Sequence, residues 1–395
     1  AVLDQLDHWL RPDWPVHAPP PAAVSTADAD ADVESALARA DTGGLLDALR
    51  RIDQLGDGFR QLLSHVSCGP VSSSPRSGDA RGDVVLLPGI MGSLLDGPNG
   101  RVWISPRRLS HGAFRELTLD RQQTDRQPPD IVATGVHPAY APLAIRLARG
   151  WNVHLFPFDW RIDIEESARR PDEYIRDRVL DRRNARPVHL VAHSMGGLVA
   201  RAFATNHPDT WTRIDGDGHA DGGRLVMLGT PNRGSYAIPL LLAGQDITLK
   251  GLAAVDEQHS RADLSRIVAS FPGVYQLLPS PLPFHDPSFE DDRARLYDAS
   301  SWRDVPVVPD LLQRAREFHE HLAEGHGGIG PERLVHVVGD LQLTPARVQI
   351  EAGAQRFGRH DRGDGRVAHA SGQLDGVDTF YVATGHGGLV SDPSV

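Results

Sequence analysis

PVHLVAHSMGG, residues Pro187 to Gly197, decides the fold. Pro187 to Ala192 reads as a short apolar strand, and the small residues around Ser194 permit a sharp turn. Leu198, Val199, Ala202 and Phe203 then follow at the spacing of a helix packed against a sheet. A serine on such a strand–turn–helix is lifted to the carboxyl edge of the sheet, where its hydroxyl and the next backbone N–H face the same space. The usual form of this turn is G-x-S-x-G; here Ala192 replaces the first glycine and Gly196 keeps the second. An isolated match of this length is also what a chance helix cap looks like, so the surroundings must decide.

Composition narrows the classes. The chain has 395 residues, 40% of them hydrophobic, which suffices for one large core or two domains. Its net charge of −11, without a basic block, speaks against a nucleic-acid partner or more than transient contact with a lipid surface. The single cysteine, Cys68, excludes an intrachain disulfide framework and a thiolate metal cluster, and reads as a free thiol near a helix end. No signal peptide or membrane-spanning run is visible. A cytoplasmic location is therefore the expectation, with secretion the alternative if a leader precedes the chain.

Working outward along the chain, residues 1–80 read as an N-terminal arm, helices and a linker. The arm holds Trp9, Trp14 and HAPPPAA, and an apolar face runs from Leu45 to Val66 at spacings of three and four. Val84 to Leu95, VVLLPGIMGSLL, reads as a buried strand breaking at Pro88-Gly89 into a loop. Residues 98–140 are polar and irregular, an excursion over the active face with Trp103, Phe114 and Tyr140 interspersed. Trp151 to Arg161 is a second buried strand ending in Asp159, Trp160 and Arg161, and Pro171 to Asn184 reads as a charged outer helix. Arg224 to Ser235, RLVMLGTPNRGS, gives the next strand and its loop. This rhythm predicts a mainly parallel sheet with helices on both faces.

The rhythm breaks over residues 236–330, where stretches at Leu252–Val268 and Leu311–Leu322 read as helices around FPGVYQLLPSPLPF. We read this segment as a helical cap inserted over the site. The sheet resumes with Arg333 to Asp340 and ends with Thr379 to Val382. The core is thus expected over 81–235 and 331–395.

A serine nucleophile needs a base, a third group orienting that base, and donors for the oxyanion. His386 fits the base: it follows the last strand, and Gly385, Gly387 and Gly388 let its loop fold back toward Ser194. Two acids compete. Asp340 ends the penultimate strand, where the generic layout of parallel-sheet hydrolases puts the acid, and Asp364 lies in a glycine-flanked turn before His386. The layout favours Asp340 without settling the choice. The oxyanion donors are expected to be the amides of Met195 and Ile90, the latter in PGIMGS. Met91, Asp159 and Trp160 are candidate pocket residues, the last two also readable as structural. No metal is expected, because His189, His193 and His207 lack a carboxylate or thiolate set around them. No cofactor is expected either; the loops match neither a dinucleotide fingerprint nor G-K-[ST].

Taken together, the motifs resemble the lecithin:cholesterol acyltransferase-like branch of the α/β-hydrolases, which includes lysosomal phospholipase A2-type enzymes and many bacterial esterases and lipases. PGIMGS resembles that family's oxyanion loop, FDWR its strand end and AHSMGG its serine elbow. LGTPNRGS resembles the loop after the next strand, VYQLLPS a cap signature, GDGRVAHAS the acid loop and HGGLVSDPSV the histidine loop. The resemblance implies an α/β-hydrolase fold with a cap and makes Asp364 the acid, since the family's acid sits in a GDGTV-like turn. It implies cleavage of carboxylic esters through an acyl-serine, lipase- or phospholipase-like, with acyl transfer as a variant. Arg366 stands where the family has threonine, the paired cysteines of the animal enzymes are absent, and residues 1–80 have no evident counterpart. Those departures leave the ester chemistry intact and put the animal lipid substrates in doubt; the alternatives are an esterase for a compact or cyclic ester, a peptidase of the same fold, and a degenerate hydrolase scaffold that binds a lipid or a partner.

Overall fold

The computed structural model of the chain describes residues 81–119, 130–180, 187–216, 222–284, 291–303, 305–323, 328–340, 343–351, 353–360, 362–392 and 395, together with the short strand Ser67–Cys68. The arm and the helices expected before Ser67 lie outside the described residues. Cys68 sits in a strand rather than at a helix end.

Seven parallel strands form the central sheet. In chain order they are β1 (Ser67–Cys68), β2 (Asp83–Leu87), β3 (Asn152–Leu155), β4 (Val188–His193), β5 (Leu225–Leu228), β6 (Leu334–Gly339) and β7 (Asp378–Val382). Across the sheet they run β1-β3-β2-β4-β5-β6-β7. The strand leading to Ser194 is therefore central, with β2 on one side (Leu87 opposite Ala192) and β5 on the other (Leu228 opposite His193).

Burial on both faces explains why these strands read as continuous apolar runs. Side chains alternate along each strand: Val85 and Leu87 enter one hydrophobic layer, Val84 and Leu86 the other. Helix α1 (Ala141–Leu147) packs its Leu143, Ala144 and Leu147 in the second layer. Helices α2 (Ile164–Tyr174) and α3 (Met195–Asn206) contribute Ile164, Ala168, Leu198, Val199, Ala202 and Phe203 to the first. Each large aliphatic side chain so buried contributes about 1.5–3 kcal/mol before the entropy of ordering it is subtracted. This arrangement is an α/β-hydrolase fold.

Within 98–140, the described residues 98–119 and 130–140 are more regular than their polarity suggests. Gly100–Trp103 and Val132–Val136 flank Ser93–Gly97 in a small antiparallel sheet. The outer helix begins at Ile164, earlier than Pro171, because Asp163 caps it by accepting the Glu165 N–H. Helices α4 (Ala237–Leu242), α5 (Ile247–Val255), α6 (Arg261–Val268) and α7 (Pro309–Ala323) occupy the 236–330 segment. The single helix expected over Leu252–Val268 is two, because the Ser260–Asp263 capping box starts a new one. Ala237–Val255 is apolar and 19 residues long, yet a break at Ala243–Asp246 divides it, and Leu241, Leu242, Leu249 and Leu252 lie in the core. Between β6 and the turn that carries Asp364 an antiparallel hairpin, Thr344–Glu351 with Ala354–His360, carries the chain away from the sheet and back.

Candidate active site

The site begins at the carboxyl end of β4. Ser194 has φ 52° and ψ −125°, a left-handed backbone that a residue with a side chain adopts only under strain. The turn is held by the Ser194 N–H donating to the Leu228 oxygen at 2.8 Å. Two glycines make room for it. A Cβ on Gly89 would lie 2.8 Å from the Ser194 Cβ, and one on Gly196 would lie 2.4 Å from the Pro88 oxygen. Ala192 is fully buried in the first layer, so its methyl group is accommodated where the usual motif has glycine.

Ser194 meets one side chain from a distant loop, which in turn meets a second. His386 opens the turn after β7, and its Nε2 lies 2.9 Å from Ser194 Oγ. Its Nδ1 lies 2.7 Å from Asp364 Oδ2. A carboxylate only accepts, so Nδ1 carries the ring proton and Nε2 presents its lone pair to the serine. The other Asp364 oxygen accepts the N–H groups of Arg366 at 2.9 Å and Val367 at 2.7 Å. Burial works to raise the Asp364 pKa. The nearby His386, its hydrogen bond and the two backbone donors outweigh burial and hold the carboxyl below the ordinary carboxylate value. Asp340 lies elsewhere: its carboxylate is 3.4 Å from His369 Nε2, and its N–H donates to the Val382 oxygen.

The loop after β2 supplies the other wall. The Gly89 N–H donates to Tyr140 Oη at 2.7 Å and is thereby occupied. The Met91 oxygen accepts the Trp103 indole N–H at 2.7 Å, and Met91 has φ 59°. Among the described residues the Ile90 and Met91 amides have no hydrogen-bond partner. Met195 starts α3, whose first N–H groups have no partner inside the helix.

Asp159 and Trp160, expected as pocket or structural residues, take structural places. Asp159 is buried in a bidentate pair with Arg161, at 2.9 and 2.6 Å. The Trp160 ring is edge-on to Trp103 and Phe271, and its N–H donates to the Ser93 oxygen at 3.2 Å. Trp160 thereby buttresses the segment that follows the loop after β2. His189 is buried in β4, where Nδ1 accepts the Arg224 N–H at 3.1 Å and the ring meets Trp151 edge-on. Among the described residues no group of three or more His, Cys, Asp or Glu is arranged to hold a metal ion.

Two features escaped sequence reasoning. Arg366 does not act on Asp364 through its guanidinium, which reaches instead to the Asp246 carboxylate and, at 2.8 Å, to Thr248 Oγ1 at the start of α5. The loop of Asp364 and Arg366 is thus tied to the 236–330 segment. The second is Tyr140, whose Oη lies 2.7 Å from His193 Nδ1. No local pattern signals either contact, because their partners lie far away in the chain.

The chain is similar to several known proteins. A family model described as lecithin:cholesterol acyltransferase matches residues 145–304. The structure of the Tle4-Tli4 complex contains a chain similar to this one at TM-score 0.51 and 17% identity, covering 79% of this chain and 96% of that one. Bacillus licheniformis lipase BlEst2 in its mature form is similar at TM-score 0.35 and 14% identity, covering 82% and 91% respectively. The uncharacterized protein YJR098C of Saccharomyces cerevisiae is 28% identical over 134 residues, which are 31% of this chain and 20% of that protein. The match thus spans about a fifth of that relative's length.

Proposed function

We propose that this chain, a member of the lecithin:cholesterol acyltransferase-like family of α/β-hydrolases, cleaves lipid-like carboxylic esters through an acyl-serine intermediate on Ser194. The observation that carries the reading is the unbroken line from Ser194 Oγ to His386 at 2.9 Å and from His386 to Asp364 at 2.7 Å. In this reading residues 81–235 and 331–395 are the catalytic core and 236–330 the cap.

Ser194 Oγ attacks the ester carbonyl carbon while its proton passes to His386 Nε2. Asp364 retains the Nδ1–H bond and stabilises the imidazolium. The negative carbonyl oxygen accepts from the amides of Met195 and Ile90, donors that are rigid and need no reorganisation. Collapse breaks the bond to the leaving alkoxide, which takes the Nε2 proton. Water then attacks the acyl carbonyl, giving a proton to His386; the acid departs and Ser194 is reprotonated. An alcohol in place of that water gives acyl transfer. Ser194 is only 6% exposed, which supports restricted access of bulk solvent to the acyl-serine.

The test is labelling of the whole chain with a fluorophosphonate, peptide mass spectrometry, and the Ser194→Ala variant. Label on Ser194 and loss of p-nitrophenyl ester hydrolysis with unchanged far-UV circular dichroism are expected. Label elsewhere, or more than a few per cent of the rate remaining, would move the nucleophile to another residue.

A further inference from the structure

Behind the Ser194–His386 contact runs a second chain of hydrogen bonds. The Gly89 N–H meets Tyr140 Oη at 2.7 Å, Tyr140 Oη meets His193 Nδ1 at 2.7 Å, and His193 Nε2 meets the main-chain oxygen of His386 at 3.2 Å. Its two ends fix every proton. The His386 carbonyl can only accept, so His193 Nε2 donates and carries the ring proton. The neutral ring then has a lone pair on Nδ1, so the Tyr140 hydroxyl donates there. The Tyr140 oxygen accepts the Gly89 N–H, which can only donate. Only one arrangement satisfies all three bonds.

Both middle members are buried, Tyr140 at 5% and His193 at 7% exposure. Burial, and next the charge of His386, lower the His193 pKa to about 3, and burial raises that of the Tyr140 phenol. The network therefore stays neutral at working pH. The His193 ring also lies against the His386 ring, with centroids 4.8 Å apart. The main chain of His386 is thus held on both sides. Its N–H donates to Asp364 and its C=O accepts from His193.

We infer that Tyr140 and His193 are positioning residues, joining the oxyanion loop at Gly89 to the main chain of the base at His386 so that both approach Ser194 in one fixed register. The inference rests on the serine-hydrolase reading above. By occupying the Gly89 N–H, the network leaves the next amide, at Ile90, as the donor this loop offers beside that of Met195. By holding the His386 carbonyl, it fixes the backbone from which the imidazole reaches both Ser194 and Asp364. A shift of either wall would fall on the transition state, where the oxyanion and the imidazolium coexist, more than on the bound ground state.

The experiment compares the full chain with Ser194→Ala, Tyr140→Phe, His193→Gln and the Tyr140→Phe/His193→Gln double variant. Each is assayed on p-nitrophenyl butyrate and for inhibition by an alkylboronic acid, whose tetrahedral adduct uses the oxyanion donors. Tyr140→Phe is expected to lower kcat about tenfold, the scale of leaving buried hydrogen-bonding groups unpaired. KM should stay within about twofold, and boronic-acid affinity should weaken by about the same factor as kcat/KM. His193→Gln should behave alike, and the double variant should be little worse than the poorer single one, because both break one chain. A folded Tyr140→Phe with kcat within about twofold of wild type overturns the inference. So does a rise in KM at constant kcat, or losses that multiply in the double variant. If Tyr140→Phe does not fold, His193→Gln decides by the same kcat and boronic-acid readouts. Activity retained by Ser194→Ala would remove the nucleophile and the network's role with it. An inactive Ser194→Ala beside a normal Tyr140→Phe removes the network alone.

Discussion

The main-chain N–H of His386 donates to the main-chain oxygen of Asp364 at 2.8 Å, so these residues are joined through their backbones as well as through the 2.7 Å side-chain contact. The backbone link is independent of what the residue 364 side chain is. Asp364→Asn should therefore keep the two loops together while removing the carboxylate that holds the proton on His386 Nδ1. We expect kcat to fall at least about a thousandfold, the equivalent change in a serine protease triad costing about 10⁴, with unchanged circular dichroism. Asp340→Asn, whose partner is His369, should change kcat by less than about tenfold. Steady-state kinetics on one p-nitrophenyl ester decides, and the reverse ranking would make Asp340 the acid.

A second expectation concerns the strained turn. With φ 52° and ψ −125°, Ser194 sits where any Cβ is unfavourable, and an alanine there inherits the same strain. Glycine has no Cβ, although its unfolded chain is freer and costs about 0.5–1 kcal/mol against alanine. The relief of roughly 1–3 kcal/mol exceeds that cost. Ser194→Gly and Ser194→Ala should both be inactive, with the glycine variant more stable by about 1 kcal/mol in urea melts. An alanine variant equal to or more stable than the glycine one would show that no strain is stored at the elbow.

How much of this was legible in the sequence follows from the kind of contact involved. The sheet was readable because β2, β4 and β5 are buried on both faces and leave continuous apolar runs such as Val84–Leu87. The hairpin Thr344–His360 was not, because only one face is covered: Val348 and Ile350 are buried while arginines and glutamines alternate with them. That hairpin also explains why geometry along the chain pointed to Asp340. It inserts after β6 and returns the chain so that Asp364, rather than the residue at the strand's end, reaches His386. The strand–turn–helix at Ser194 and the glycines around His386 are local and leave local signals. Tyr140 and His193, 53 positions apart, leave none, since only the folded sheet brings them together.

Acid stability gives a third measurement. His189, His193 and His336 are lowered to about 3 and His319 to about 4, each chiefly by burial. Unfolded, each takes up a proton near pH 6.5. A group whose folded pKa is depressed contributes fully above its unfolded value and loses that contribution as pH falls toward the folded one. Stability should thus decline below about pH 6.5, by up to about 5 kcal/mol for each pH unit once four unfolded-state histidines are protonated. Melting followed by circular dichroism from pH 8 to 4.5 should show Tm falling steeply below pH 6.5. His319 Nε2 bonds only the Leu278 oxygen, at 2.8 Å, a contact that His319→Gln can reproduce, and that variant should shallow the slope by about one proton. A Tm independent of pH from 7 to 5 would mean these rings are protonated in the folded state.

Substrate class is the expectation with the greatest consequence for function. Ser194 lies almost covered, at 6% exposure, and the loop packed against it at Gly89 carries the half-buried apolar side chains of Ile90 and Met91. A substrate reaching Ser194 must run an arm against such a surface, and an apolar acyl chain is the arm that gains from it. Each methylene buried there contributes about 0.8 kcal/mol, close to fourfold in binding. The chain stays bound as the carbonyl becomes tetrahedral, so the gain appears in kcat/KM. Specificity for p-nitrophenyl esters should therefore rise from acetate to at least octanoate, and EDTA should leave it unchanged. A cap shaped for a compact or cyclic ester predicts the opposite: a peak at acetate or butyrate and a steep fall beyond. Extending the series to a phospholipid and a large lactone separates a long groove from a closed chamber, because only a groove accommodates a second chain or a headgroup. A flat or falling series would end the lipid-like reading and leave the chemistry at Ser194 intact.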